Sequence, residues 1–279
     1  PPHPVVVLHG GWGAEHSGLV DAVRDLEDEY HFVLYDQRGS LRSPAPDASI
    51  TYDRFIEDLE LLRAELGLER LNILAHSMGA VLASAYAAKY PDRIQRLVLV
   101  APAYLKYPVP EEDHALRHKA FEASQAFAAR PEVESELARY SLDRSDPPLG
   151  SREETARYRI DLARRMLFDV KKWRHLTGGR ATFNGRIGDV ITPTYPPDGW
   201  DFIAHFARGE YPVAIVVGDH DFLDFGTPLL TKWTAGLAHV QLTVIENAGH
   251  LICFDQQRAF SRELRRSLQA NPRRAPGKS

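Results

Sequence analysis

The sequence predicts an α/β protein in which a mostly parallel β-sheet is flanked by helices and interrupted by a helical insertion. Two observations support this prediction. Short apolar runs alternate with amphipathic helical stretches over the first hundred residues, and the alternation resumes at about residue 209. Between residues 103 and 208 it stops. Strands that alternate with helices form right-handed βαβ units, which build a parallel sheet.

Six apolar runs predict the strands. Each run is short and rich in branched apolar residues, as buried parallel strands are. The runs cover residues 5–8, 31–35, 71–75, 97–100, 213–217 and 240–245. Apolar residues at helical spacing predict helices over residues 17–30, 52–66, 81–90, 229–237 and 256–270.

The insertion has a helical pattern over residues 111–129, and Pro131 can open a second helix from its first turn. Ser151 to Glu154 match a capping box, which predicts a third helix running to about Leu176. The stretch that follows, to Trp200, is rich in Gly, Pro and Thr and is expected to be irregular.

The domain organisation follows from this break. We expect a core formed by residues 1–102 and 209–270, and a helical cap formed by residues 103–208 that acts as a lid. An independent helical domain is the alternative for the insertion. The basic, Pro-containing tail over residues 271–279 is expected to be disordered.

Composition limits the class of protein. The 279 residues are 44% hydrophobic and 26% charged, which is ordinary for a soluble globular chain. A net charge of -4 does not provide the basic face that nucleic-acid binding needs. No apolar run approaches the roughly 18 residues of a membrane span, and a single Cys cannot form an internal disulfide. We expect a cytoplasmic protein without nucleic-acid or membrane partners.

Ser77 is the candidate nucleophile. The segment Ala75-His76-Ser77-Met78-Gly79 lies where a predicted strand ends and a helix begins. This is the context of a nucleophile elbow, in which the residues two before and two after the serine must be small. Ala75 replaces the usual first Gly, and Gly79 is retained. A serine in an ordinary tight turn is the alternative.

Asp221 and His250 are the candidate acid and base. Asp221 follows the strand at 213–217 and His250 follows the strand at 240–245, where open parallel sheets place their sites. A serine hydroxyl needs a base to take its proton, and a carboxylate to orient that base. Asp219 and Asp224 are rival acids.

The turn His9-Gly10-Gly11-Trp12-Gly13 follows the first strand. An acyl-transfer intermediate carries an oxyanion that needs two backbone N–H donors. We expect Met78, after the nucleophile, and Gly11 to supply them, with Trp12 next in line. A phosphate cradle is a weaker reading, because the chain has no P-loop motif. We expect no cofactor and no metal.

These motifs resemble the proline iminopeptidase branch of the α/β-hydrolases. The turn at His9 is similar to that family's HGGPG segment, with Trp12 in place of Pro. The segment Tyr35-Asp36-Gln37-Arg38-Gly39-Ser40 is similar to its DQRG segment. The resemblance implies an α/β-hydrolase fold with a helical cap and a Ser77, Asp221, His250 triad. It also implies two strands ahead of Val5, so we expect further N-terminal residues, continuous with the chain or supplied as a cleaved segment.

The resemblance has departures. The family commonly has Gly-Gly before the serine, whereas this chain has Ala75-His76, and Phe222 stands where a tricorn-associated relative has a Glu that binds the substrate amine. An aminopeptidase needs carboxylates that pair with that amine. Candidates in the cap are Glu153, Glu154, Asp161 and Asp169.

An esterase would instead have an apolar pocket. Residues expected to contact the substrate are Trp12, His76, Phe168, Trp173 and Phe222; Met166, Phe183 and Tyr195 are further candidates for the lining. The leading hypothesis is hydrolysis of an ester or amide in a small molecule or short peptide. A proline iminopeptidase is the alternative, and a ligand-binding receptor or a lyase or acyltransferase that reuses the triad are further ones.

Overall fold

The computed structural model describes residues 4–176 and 183–269. Six parallel strands form the main sheet in the order β2-β1-β3-β4-β7-β8, and β5 and β6 form a separate antiparallel pair. The predicted parallel sheet is therefore confirmed. The strands are β1 (Pro4–Leu8), β2 (His31–Leu34), β3 (Leu71–His76), β4 (Ile94–Val100), β5 (Lys106–Tyr107), β6 (Trp200–Asp201), β7 (Val213–Gly218) and β8 (Val240–Ile245).

Helices cover both faces of this sheet and form most of the insertion. They are α1 (Ser17–Val23), α2 (Tyr52–Glu65), α3 (Met78–Lys89), α4 (His114–Ala128), α5 (Pro131–Arg139), α6 (Ser151–Met166), α7 (Arg186–Ile191), α8 (Phe202–Arg208), α9 (Pro228–Thr234) and α10 (Ile252–Gln269). No helix in the described ranges is both long and apolar enough to cross a membrane.

Side chains alternate between two hydrophobic cores, one on each face of the sheet. Val6 and Leu8 of β1 face the core that contains α2, α3 and α8. Val5 and Val7 face the core that contains α1 and α10. The inner strands β1, β3, β4 and β7 are mostly buried, which explains why they are largely apolar, whereas the edge strands β2 and β8 are partly exposed.

The helix predicted to run to Leu176 ends at Met166. Leu167 adopts an extended conformation, and the Asp169 side chain accepts the Lys171 N–H to begin a 3-10 helix over Val170–His175. The final helix runs from Ile252 to Gln269 with non-helical backbone at Gln256 (φ -134°, ψ 53°), so the predicted start at residue 256 coincides with a kink. The end of α6 is accompanied by hydrogen bonds to residues distant in the chain, which periodicity does not detect.

Residues 103–208, which we call the cap, contain a third hydrophobic core built from α5, α6 and the 3-10 helix. Lys106 and Tyr107 pair with Asp201 and Trp200, so the chain enters and leaves this segment through one two-stranded ribbon. No described residue of the cap joins the main sheet. The predicted tail over 271–279 lies outside the described residues.

Candidate active site

The candidate residues converge because of the order of the strands. β3, β4, β7 and β8 are adjacent and parallel, so the loops after β3, β7 and β8 emerge from the same edge of the sheet. Ser77, Asp221 and His250 lie in these three loops. Open parallel sheets bind their ligands at this edge.

Ser77 occupies a strained turn between β3 and α3, with φ 54° and ψ -121°. Its N–H donates to the Val100 carbonyl (3.0 Å), and its carbonyl accepts the Ala103 N–H (3.2 Å), so the neighbouring strand holds the turn. A Cβ at Gly79 would lie 2.5 Å from the His9 carbonyl oxygen, which explains the need for glycine there. In the described chain, the Ser77 hydroxyl has no hydrogen-bond partner. Strain of this kind is typical of functional sites.

His250 and Asp221 form a buried pair, 3% and 1% exposed. The His250 Nδ1 atom lies 3.0 Å from both Asp221 carboxylate oxygens. Because a carboxylate only accepts, Nδ1 carries the hydrogen, which leaves Nε2 of the neutral ring as a proton acceptor. Asp221 also accepts the Leu223 N–H (3.0 Å), which orients the carboxylate.

The two alternative acids, Asp219 and Asp224, bind groups other than His250. Asp219 accepts the Ala248 N–H (3.1 Å) and lies 2.6 Å from the ring of His220. Asp224 accepts the two N–H groups of Leu229 and Leu230 at the start of α9, and burial raises its pKa to about 6. Neither carboxylate contacts His250.

His76 links the serine turn to the histidine loop. Its Nε2 atom lies 3.1 Å from the His250 carbonyl oxygen, and the two rings are 4.7 Å apart. Burial, followed by the charge of His250, lowers the pKa of His76 to about 3, so the ring is neutral near pH 7. A neutral ring that donates from Nε2 holds the backbone of His250 in place.

The glycine-rich turn packs against the serine. A Cβ at Gly10 would lie 2.6 Å from the Ser77 Cβ. Met78 is the first residue of α3, so its N–H has no acceptor inside the helix. Gly11 has φ 68°, and its N–H donates no hydrogen bond to the described part of the chain. The N–H groups of both predicted oxyanion donors are therefore without a hydrogen-bond acceptor in the described part of the chain.

His9 joins this turn to the segment after β2. Its Nε2 atom accepts the Gln37 N–H (3.0 Å), and the Gln37 side chain donates to the His9 carbonyl (2.8 Å). Burial lowers the pKa of His9, which keeps the ring neutral. The two segments that carry the family resemblance are therefore one structural unit.

The residues predicted to contact the substrate separate into two groups. Phe222 packs edge-on against His250 (4.8 Å), and Phe168 contacts His220 (4.7 Å). Trp12 and Trp173 are buried in hydrophobic cores, where Trp12 Nε1 donates to Tyr195 (2.5 Å) and Trp173 Nε1 donates to Glu136 (2.8 Å). Only the rings of the first group contact histidines of the loops after β7 and β8.

Sequence reasoning missed Phe127 and Phe225, which complete an aromatic cluster around His220 with Phe168. It also missed Asp255, a buried carboxylate in the first turn of α10. No signal in the sequence pointed to Asp255, because the predicted helix begins one residue later, at residue 256.

The cap carboxylates proposed to bind an amine have other partners or are exposed. Glu153 accepts two hydrogen bonds from Arg144 (2.8 and 2.9 Å), and Asp161 lies 3.6 Å from Arg164. Asp169 caps the 3-10 helix, and Glu154 is exposed beside a cavity of about 690 Å³ on the cap. None of the residues that line this cavity belongs to the candidate site.

One group with metal-ligand spacing occurs in the described part of the chain. Glu15, His16 and Asp36 bring their ligand atoms within 4.8 Å of one another. The Arg42 guanidinium lies 2.6 Å from Glu15 and 3.5 Å from Asp36. These carboxylates are already paired with a cation, so the arrangement serves as an ion-pair network.

A model of the alpha/beta hydrolase fold family matches residues 3–257. The chain belongs to this family. It is 43% identical over 105 residues to a proline iminopeptidase of Xylella fastidiosa, an alignment that covers 35% of the chain and 32% of that relative. The chain thus spans about a third of that protein's length.

Longer alignments support the same branch of the alpha/beta hydrolases. A proline iminopeptidase of Lactobacillus acidophilus is 25% identical over 281 residues, which covers 96% of this chain and 90% of that protein. A proline iminopeptidase-related protein from Thermus thermophilus matches in structure with a TM-score of 0.64 at 25% identity, over 96% of this chain and 89% of that one. The predicted resemblance to this branch is confirmed.

Proposed function

We propose that this alpha/beta hydrolase is a serine hydrolase that cleaves an ester or amide bond in a small substrate. The observation that supports this most strongly is the buried His250–Asp221 pair, with Nδ1 3.0 Å from both carboxylate oxygens, beside a serine in a positive-φ turn. A carboxylate in this position holds the imidazole tautomer that can accept a proton from serine.

The proposed reaction has two halves. The Ser77 Oγ attacks the substrate carbonyl carbon while His250 Nε2 takes the hydroxyl proton. The tetrahedral intermediate collapses to an acyl-serine, and His250 returns the proton to the leaving group. Water then attacks the acyl carbon, gives its proton to His250, and releases the acid as Ser77 recovers its proton.

The oxyanion of both tetrahedral intermediates is assigned to the N–H groups of Gly11 and Met78. Both groups are fixed by the backbone before the reaction begins, so they stabilise the developing charge without reorganising. Loss of one such donor typically costs about 10²- to 10³-fold in kcat.

We assign the substrate-facing role to Phe222, Phe168 and the aromatic cluster around His220. Trp12 and Trp173 are removed from this role because their indole N–H groups are bonded inside hydrophobic cores. His76 is reassigned from substrate contact to holding the His250 backbone. The cap, which contributes Phe168 and Phe127, acts as the lid of this pocket.

A neutral ester or amide substrate suits the surroundings of this aromatic cluster better than a substrate with a free amine. A buried ammonium costs several kcal/mol unless a carboxylate meets it. The four candidate carboxylates of the cap are paired, used as caps or exposed. A proline iminopeptidase activity remains the second candidate, since the relatives named above carry that description.

The setting proposed for this reaction is the cytoplasm, and the proposed partner is a small-molecule or short-peptide substrate. The single cysteine, Cys253, is buried and free, and burial raises its pKa to about 12. A protonated, buried thiol is compatible with a reducing compartment.

A substrate comparison tests the proposal. We expect kcat/KM for a short aryl ester to exceed that for a prolyl arylamide, and blocking the prolyl amine to cause no loss. Ser77→Ala is the control, with activity expected to fall by several orders of magnitude. A strong preference for the free-amine prolyl substrate would restore the iminopeptidase assignment. More than about a tenth of wild-type turnover in Ser77→Ala would remove Ser77 from the mechanism.

A further inference from the structure

A buried carboxylate, Asp255, connects the cap to the loop that carries His250. Its Oδ2 atom accepts the N–H groups of Phe168 (2.7 Å) and Gly249 (2.9 Å), and its Oδ1 atom accepts the Asp169 N–H (3.2 Å). The residue is 7% exposed. Burial raises its pKa, and the three N–H donors oppose that shift. A single side chain therefore fixes backbone on both sides of the boundary between cap and core.

Other hydrogen bonds follow the same boundary. The Leu251 N–H donates to the Met166 carbonyl (3.1 Å). The Lys172 ammonium donates to the carbonyl oxygens of Phe254 (3.0 Å) and Asp255 (2.7 Å). We call residues 166–172 and 249–255 together the joint.

Arg130 binds backbone carbonyl groups on the cap side of the joint. Its guanidinium donates to the carbonyl oxygens of Leu167 (3.2 Å) and Phe168 (3.0 Å), and it also binds those of Phe127 (2.8 Å) and Arg164 (3.1 Å). The extended segment at Leu167 thus has its carbonyls bound by a cation and the next two N–H groups bound by an anion. Such charge-assisted hydrogen bonds are roughly twice as strong as neutral ones.

The backbone around His250 is held at three points. The Gly249 N–H binds Asp255, the His250 carbonyl faces His76, and the Leu251 N–H binds the cap. Of these three contacts only the first uses a charged group, and one residue earlier in the loop the Ala248 N–H binds the Asp219 carboxylate (3.1 Å). The direction of the His250 ring depends on this backbone as well as on Asp221.

We infer that Asp255 is a positioning residue for the proposed base, and that it transmits the placement of the cap to His250. The inference rests on the role proposed for His250 above. Asp255 touches neither substrate nor reacting atoms in this account. It sets the backbone from which the imidazole projects, and small displacements of a reacting group reduce rates strongly.

A second buried carboxylate provides a matched control. Asp113 precedes α4 and ties the start of the cap to α9, where it binds Lys232 and accepts the Trp233 indole N–H (2.7 Å). Like Asp255 it is buried and joins the cap to the core. It makes no contact with the His250 loop.

The experiment compares Asp255→Ala, Asp255→Asn and Asp113→Ala. Four quantities are measured: the rate at which a fluorophosphonate labels Ser77, kcat per labelled site and KM for an aryl ester, and the melting temperature. We expect Asp255→Ala to slow labelling and kcat by roughly 10- to 100-fold with KM within about threefold. Asp113→Ala should lower the melting temperature and leave both per-site rates unchanged.

If the alanine variant does not fold, Asp255→Asn tests whether Asp255 positions His250. The amide keeps one acceptor oxygen for Gly249 and Phe168 and places an NH₂ group against the Asp169 N–H. Labelling should therefore slow by about three- to tenfold. A wild-type labelling rate in folded Asp255→Asn, or equal effects of the Asp255 and Asp113 variants, would overturn the inference. Failure of the proposed function has a different signature, because Ser77 in the wild-type protein would then not be labelled at all.

Discussion

Different contacts stabilise the core and the cap of this protein. The loops that carry Ser77 and Asp221 leave the largely buried central strands β3 and β7, and the loop that carries His250 leaves the edge strand β8. Part of the cap has a small core of its own, whereas α7 and α8 pack into the core under the main sheet, and polar contacts such as Asp113 and Asp255 also join the cap to the rest of the chain. The comparison shows that the loops of the candidate site leave the main sheet, whereas the segment that carries Phe168 belongs to the separate core of the cap.

The largest expected effect is a loss of kcat in a variant of the core. Asp221→Asn should lower kcat by about 10⁴-fold, because an amide no longer holds the tautomer in which Nε2 accepts the serine proton. Steady-state kinetics on an aryl ester measures this loss, with the melting temperature as a check on folding.

The matched variants are Asp219→Asn and Asp224→Asn. Each removes a loop carboxylate that accepts backbone N–H groups near the same edge of the sheet. We expect their effect on kcat to be far smaller. A greater loss in Asp224→Asn than in Asp221→Asn would move the acid to the other residue.

A smaller effect, on stability, is expected in the cap. Trp173→Phe should lower the free energy of unfolding by about 1–3 kcal/mol, because the buried Glu136 carboxylate loses its indole N–H partner. KM for the aryl ester should stay within about twofold of wild type. Chemical denaturation and kinetics on the same preparation check both points. An increase in KM without a loss of stability would return Trp173 to the substrate pocket.

The smallest effect concerns substrate contact in the cap. Phe168→Ala should raise KM for an aryl ester about tenfold with little change in kcat, since the half-buried ring offers apolar surface beside His220. Phe121→Ala is the control, because this phenylalanine of α4 is 56% exposed. Equal KM values for the two variants would show that the aromatic cluster does not meet the substrate.

The difference between core and cap also explains what could be predicted from the sequence. The parallel sheet was predictable because buried strands are apolar runs, and the order of Ser77, Asp221 and His250 could be read from the residues that follow those runs. The turn at Gly11 was equally accessible, since a tight turn after a strand requires glycine.

The cap could be predicted only as helical. Next to the end of α6 at Met166, the Leu167 carbonyl accepts a hydrogen bond from Arg130 and the Phe168 N–H donates to Asp255, and both partners are distant in the chain. Nothing in local periodicity reports such contacts. Trp173 was assigned to a pocket for the same reason, because an aromatic at helical spacing looks alike whether it faces a substrate or a core.

The central claim is a covalent acyl-Ser77 intermediate, and trapping it is the most direct test. The protein is mixed with a slowly deacylating aryl ester, quenched in acid, and analysed by intact mass and peptide mapping. We expect a burst of about one phenol per chain and an acyl adduct on Ser77, both absent in Ser77→Ala. Turnover of the ester without an adduct, or an adduct on another residue that persists in Ser77→Ala, would contradict it.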